Sequence, residues 1–89
     1  MASELMKILR QGRKARKLSQ DQVAEQAGLE RGDIAKLESG LFVSLENNAI
    51  CKIGGAVGTD PEMLIALYRS EFRSELLQQK SESQNISAG

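Results

Sequence analysis

The segment that most constrains the fold is residues 20–39, QDQVAEQAGLERGDIAKLES. Ala24 stands four residues before Gly28, Ile34 six after it, and Leu37 three further on. A small residue in a first helix lets a second helix cross it closely, and a glycine permits the sharp turn between them. Apolar residues after the turn bury the inner face of the second helix and leave its outer face free. The spacing therefore predicts two short helices joined by a tight turn, with one face of the second turned to solvent.

The rest of the chain reads as helical too. It has one Pro, few aromatic or β-branched residues and no alternating stretch long enough for a strand. Five helices are expected, together making an all-α fold. The first covers residues 3–16, with Ser3 as N-cap and Leu5, Ile8, Leu9 and Ala15 as its apolar stripe. The second covers 19–27, opened by the capping-box pair Ser19 and Gln22 and stopped by Gly28. The third covers 31–39, with Ile34 and Leu37 inward and Gly40 beyond its end.

The fourth helix is expected at 44–57, through Leu45, Ala49, Ile50, Ile53 and Val57, with Gly54 and Gly55 inside it. Those two glycines together cost about 2 kcal/mol relative to alanine. The fifth has the clearest start, Asp60 as N-cap and Pro61 in the first turn, and is expected to continue to residue 79. This gives one domain over residues 1–80 and a disordered tail over 81–89, part of KSESQNISAG, which has little to bury.

Eighty-nine residues suffice for one modest core. No apolar run reaches the roughly 18–20 residues that span a bilayer, so no membrane partner and a cytoplasmic location are expected. The absence of His and the single Cys51 argue against a metal site or an internal disulfide. Cys51 is read as a core thiol in preference to a redox group. No carboxylate pairing or phosphate loop suggests catalysis, so neither an enzyme nor a cofactor is expected. With Phe42, Tyr68 and Phe72 as the only aromatics, RNA binding by stacking is disfavoured. Net charge is zero, yet residues 7–20 hold six cations (Lys7, Arg10, Arg13, Lys14, Arg16 and Lys17) and no acid. That run is either a solvated helix face or a basic surface for a polyanion.

Across about residues 5–67 the sequence resembles the Xre-like phage-repressor family of helix-turn-helix regulators. The resemblance is carried by LRQGRKARKLSQDQVAEQAGLERGDIAKLESG and, more weakly, by CKIGGAVGTDPEML. It implies a five-helix, lambda-repressor-like DNA-binding domain, here with an extended C-terminal helix, and double-stranded DNA as partner. Arg13 and Glu38 match a family pair that forms a partly buried salt bridge, while Gln20 matches a residue that contacts phosphate. Arg31, Gly32, Ala35 and Lys36 match the positions facing base edges, with Glu30 beside them and Ser39 at the edge toward the backbone. Arg31 and Lys36 suit guanine N7 and O6, although either could bind phosphate alone. Glu30 and Asp33 suit the positive end of the third helix better than a groove. Lys14, Arg16 and Lys17 are the further candidates for backbone contact.

Segment LFVSLENNA is one residue longer than the common family pattern and lacks its usual Pro, and Leu41–Val43 forms an apolar cluster of core or dimer type. Leu64, Tyr68, Phe72 and Leu76 recur every fourth residue and are expected to form a homodimer seam. The function expected is a DNA-binding transcriptional regulator, repressor in type, that acts as a homodimer on a pseudo-palindromic operator. The competing reading is a protein-interaction adaptor or antitoxin on the same fold, and a regulatory protein partner fits either.

Overall fold

A computed structural model describes residues 3–79. In chain order the helices are α1 (Glu4–Ala15), α2 (Gln20–Ala27), α3 (Arg31–Glu38), α4 (Asn47–Val57) and α5 (Pro61–Glu71). A further helix, α6, covers residues 73–79, and the described residues contain no strand. The tail expected at 81–89 lies outside them.

Most helix ends follow local chemistry. Ser3 caps α1 by accepting from the Met6 N–H at 2.9 Å. At α2, Ser19 Oγ accepts from the Gln22 N–H at 3.1 Å while Gln22 Oε1 accepts from the Ser19 N–H at 2.8 Å. Gly28 ends α2 in the left-handed region, at φ 70°, so that the Leu29 N–H can reach back to the Ala24 carbonyl at 2.8 Å. At α5, Asp60 accepts from the Glu62 N–H at 3.2 Å and Pro61 opens the helix.

The core joins Leu5 and Leu9 of α1 to Val23, Ala24 and Ala27 of α2, Ile34 and Leu37 of α3, and Ile50, Ile53, Ala56 and Val57 of α4. Leu64, Tyr68 and Phe72 complete it. Helix α1 crosses α4 at Gly12, where an added Cβ would lie 2.5 Å from the Val57 carbonyl oxygen. Only glycine allows that approach. Helix α3 packs on α1 and α2, whereas α5 packs on α4 and α1. Ala15, expected in the apolar stripe of α1, is exposed, and Cys51 is half-buried in α4.

Three expectations are corrected, all through one aromatic cluster. The fourth helix begins at Asn47, three residues later than its expected start at Ser44. Residues 41–46 form no helix because the Tyr68 hydroxyl clamps them: it donates to the Val43 carbonyl at 2.6 Å and accepts from the Leu45 N–H at 2.8 Å. The fifth helix is not continuous to residue 79. It breaks at Phe72, whose φ of −111° and ψ of 28° leave the helical region, while its ring packs against Phe42 and Tyr68 at centroid distances of 5.3 and 5.5 Å. The Leu76 N–H then donates to the Phe72 carbonyl, and helix resumes.

The third correction concerns the seam expected from Leu64, Tyr68, Phe72 and Leu76. The first three are no more than 5 % exposed within the single chain, and Leu76 is half-buried against the same core. The stripe is the inner face of α5 and α6. Its apolar surplus is covered by Phe42, Val43 and Leu45, which pack on the core from the loop after α3. Leu41, the first residue of the apolar cluster, stays exposed.

Candidate nucleic-acid interface

Helix α3 has two faces with separate duties. Ile34, Leu37 and Glu38 are buried, whereas Glu30, Arg31, Gly32, Lys36 and Ser39 are exposed and Ala35 is half-buried. This division follows from helical periodicity, which sends residues three and four apart to the same side. Asp33 Oδ2 accepts from the Glu30 N–H at 3.2 Å, so Asp33 serves the helix start as its sequence position suggests. Gly32 has no heavy atom within 4 Å of where a Cβ would stand and leaves that part of the face open.

The inner end of α3 is held by a carboxylate. Glu38 has only 2 % of its side chain exposed, and Arg13 reaches it from α1 with 15 % exposed. Arg13 Nε donates to Oε2 at 2.7 Å and Nη2 to Oε1 at 2.9 Å, a two-pronged contact that fixes orientation as well as distance. A third donor, Nη1, reaches the Leu18 carbonyl at 3.0 Å, tying in the turn between α1 and α2. Gln20 Nε2 donates to Glu38 Oε1 at 3.3 Å from the first residue of α2.

An acid in the last turn of a helix opposes the negative end of the helix dipole, so Glu38 needs this surrounding of donors. The hydrogen bond to Glu38 is the main cause that holds the Arg13 guanidinium above its ordinary pKa; burial acts in the opposite direction. Arg13 is thus a fixed positive charge at every accessible pH. The network joins α1, α2 and α3 at one point.

Arg10 extends this cluster, with Nε 3.9 Å from Glu38 Oε1 and half its side chain in solvent. The sequence marked it only as one cation of the basic run, although its position three residues before Arg13 places both on one side of α1. Gln20, assigned to phosphate, is half-buried and turns its amide to Glu38. Lys14, Arg16 and Lys17 are all exposed at the end of α1, where Lys17 takes a left-handed φ of 57°. Arg16 lies against Gly58, so close that a Cβ there would sit 2.5 Å from its Nη2. That places a cation beside the C-terminal end of α4, where the helix dipole is negative.

Residues 7–70 match the family model described as a helix-turn-helix domain. The chain belongs to that family, a class of DNA-binding domains, and DNA is the partner that membership supports. No curated protein and no solved structure matches the chain. Among the described residues, no helix is long and apolar enough to cross a membrane. They also contain no group of three or more Cys, Asp and Glu side chains placed to hold a metal ion.

Proposed function

We propose that this chain is a sequence-specific regulator of transcription that binds double-stranded DNA in the cytoplasm, in the manner of a repressor, as a homodimer on a pseudo-palindromic operator. The observation that carries the reading is the split character of α3. Its inner face is locked by Ile34, Leu37 and the Arg13–Glu38 pair, while Arg31, Gly32 and Lys36 face outward with Ala35 at their margin. A helix so presented fits the major groove, where Arg31 can donate to guanine N7 and O6 together and Lys36 to either. Lys14, Lys17 and Ser39, all exposed, would contact the phosphates, together with Arg16 beside Gly58.

A single helix reads only a few base pairs, too few to discriminate against a genome of competing sites. Two copies about a twofold axis would read half-sites spaced by about 10–10.5 base pairs or a multiple of that.

The test begins by recovering the duplexes that the purified protein retains from random fragments. On the recovered site, Arg31→Ala is expected to weaken binding by about 1–3 kcal/mol and to relax the preference at one base pair. Equal losses on that site and on random duplex would move Arg31 to the phosphates. A second reading, an adaptor or antitoxin that binds a partner protein, is favoured by the zero net charge. Duplex affinity that does not fall with salt would select it.

A further inference from the structure

Helix α3 runs unbroken from Arg31 to Glu38, and Arg31, Gly32 and Lys36 are exposed on it with Ala35 half-buried beside them. At about 100° per residue, Arg31 and Lys36 stand at the two edges of an arc of roughly 140°, with Ala35 and Gly32 between them. Two long cations thus flank a centre that offers a single methyl group. Gly32 adds no side chain there, and no neighbouring heavy atom lies within 4 Å of where one would begin.

The hydrogen-bonding character of this face is one-sided. Arginine and lysine side chains donate and never accept. Both carboxylates within α3 are engaged elsewhere: Asp33 accepts from the Glu30 N–H at 3.2 Å, and the buried Glu38 is held by Arg13. Glu30 stands ahead of the helix, at its N-cap. Between the two cations, therefore, α3 presents no side chain able to accept from a base.

That chemistry selects among bases. In the major groove guanine shows the acceptors N7 and O6, and thymine shows O4 beside its C5 methyl. Adenine and cytosine each place an amino donor there, which this face would leave unpaired. An apolar side chain such as that of Ala35 favours the thymine methyl, and a glycine next to it lets the backbone come close.

We infer that α3 reads a keto-rich step: a guanine at Arg31, a guanine at Lys36, and between them a thymine whose methyl seats against Ala35 in the gap over Gly32. Arg31 and Lys36 are about 7.5 Å apart along the helix axis, close to two base-pair steps, so the three contacts fall within about three successive base pairs. The inference rests on the proposal that α3 binds duplex DNA, and it names the bases that the helix takes.

The test uses the full chain and the site recovered from random duplexes, remade with one altered base at a time. 7-Deazaguanine removes N7, uracil removes only the thymine methyl, and inosine removes only an amino group of the minor groove. At one guanine, 7-deazaguanine should weaken binding at least about fivefold, and Arg31→Ala should abolish that penalty. Lys36→Ala should do the same at a second guanine. Inosine at either position should change affinity by less than about twofold.

Uracil at a thymine between these guanines should weaken binding about fourfold, the worth of one methyl group taken out of water. Gly32→Ala fills the gap, meets nothing in the free protein and improves helix propensity, so its effect on binding reports the gap itself. It should bind the thymine site at least about threefold more weakly than the native chain does, yet bind the uracil site no worse. Circular dichroism verifies that each variant is folded.

Uracil tolerated at every thymine, a Gly32→Ala loss of equal size on both sites, or a recovered site whose preferred pairs lack this guanine and thymine pattern would overturn the inference while leaving duplex binding in place. Recovery of no preferred duplex at all would overturn the DNA reading and this inference with it.

Discussion

Replacing Arg13 by methionine isolates the largest single electrostatic commitment in the fold. The substitution keeps much of the apolar stem and removes three hydrogen bonds, two to Glu38 and one to the Leu18 carbonyl. The Glu38 carboxylate, 2 % exposed, would retain only Gln20 at 3.3 Å and the partly solvated Arg10 at 3.9 Å. Breaking a buried ion pair costs about 3–5 kcal/mol, and the nearby Arg10 places this one at the low end, about 3 kcal/mol.

For a chain of this size that corresponds to a fall in Tm of about 12–24 °C. Glu38→Leu alone leaves Arg13 partly solvated and should cost less, about 1–2 kcal/mol. The double variant replaces the pair by apolar groups and should recover at least about 1 kcal/mol of the summed losses. Urea unfolding followed by circular dichroism gives all four corners of the cycle. Additive losses, within about 0.5 kcal/mol, would refute the coupling and with it the account of how α3 is held.

Three further outcomes are expected. Tyr68→Phe strands the Val43 carbonyl and the Leu45 N–H and should lower stability by about 1–3 kcal/mol, read from the same unfolding curves. Burial raises the Tyr68 phenol above its ordinary value near 10, against smaller lowering effects of the Leu45 hydrogen bond and Arg69. The folded state therefore favours the neutral phenol. Its stabilising share is complete below about pH 10 and is lost as pH rises through the raised folded value. Absorbance titration of this single tyrosine should show ionisation coupled to unfolding, and an ordinary reversible step near 10 in the folded chain would contradict the burial argument. On duplex DNA, Lys14→Ala and Lys17→Ala should each flatten the salt dependence by about one unit, whereas unchanged slopes would make that end of α1 a merely solvated surface.

What was legible in the sequence was local. Ser19 with Gln22, Gly28, and Asp60 with Pro61 each act within four residues, so their positions alone marked the helix ends. The inward positions Ile34 and Leu37 followed from helical spacing, and the Arg13–Glu38 pairing from the family resemblance. What escaped was settled by partners far away along the chain. Val43 and Leu45 gave no sign that Tyr68 would clamp their backbone from 25 and 23 residues away, and so the late start of α4 and the break at Phe72 were missed. The same holds for Glu71, whose Oε2 accepts from the Leu5 N–H at 2.8 Å across 66 residues and anchors the start of α1. A fourfold apolar repeat reports that a face is buried. It does not report whether the cover is another molecule or a loop of the same chain.

The division of α3 between buried and outward residues also bears on how such a chain can change over generations. Ile34, Leu37 and Glu38 answer to the body of the protein, whereas Arg31, Gly32 and Lys36 are exposed. Substitutions at the second group are expected to shift stability by about 0.5 kcal/mol or less, as they usually do at exposed positions away from caps and the core. The helix therefore acts as an interchangeable key on a constant handle. If the proposed function holds, a duplicated copy can drift toward a new DNA sequence at little cost to its folding.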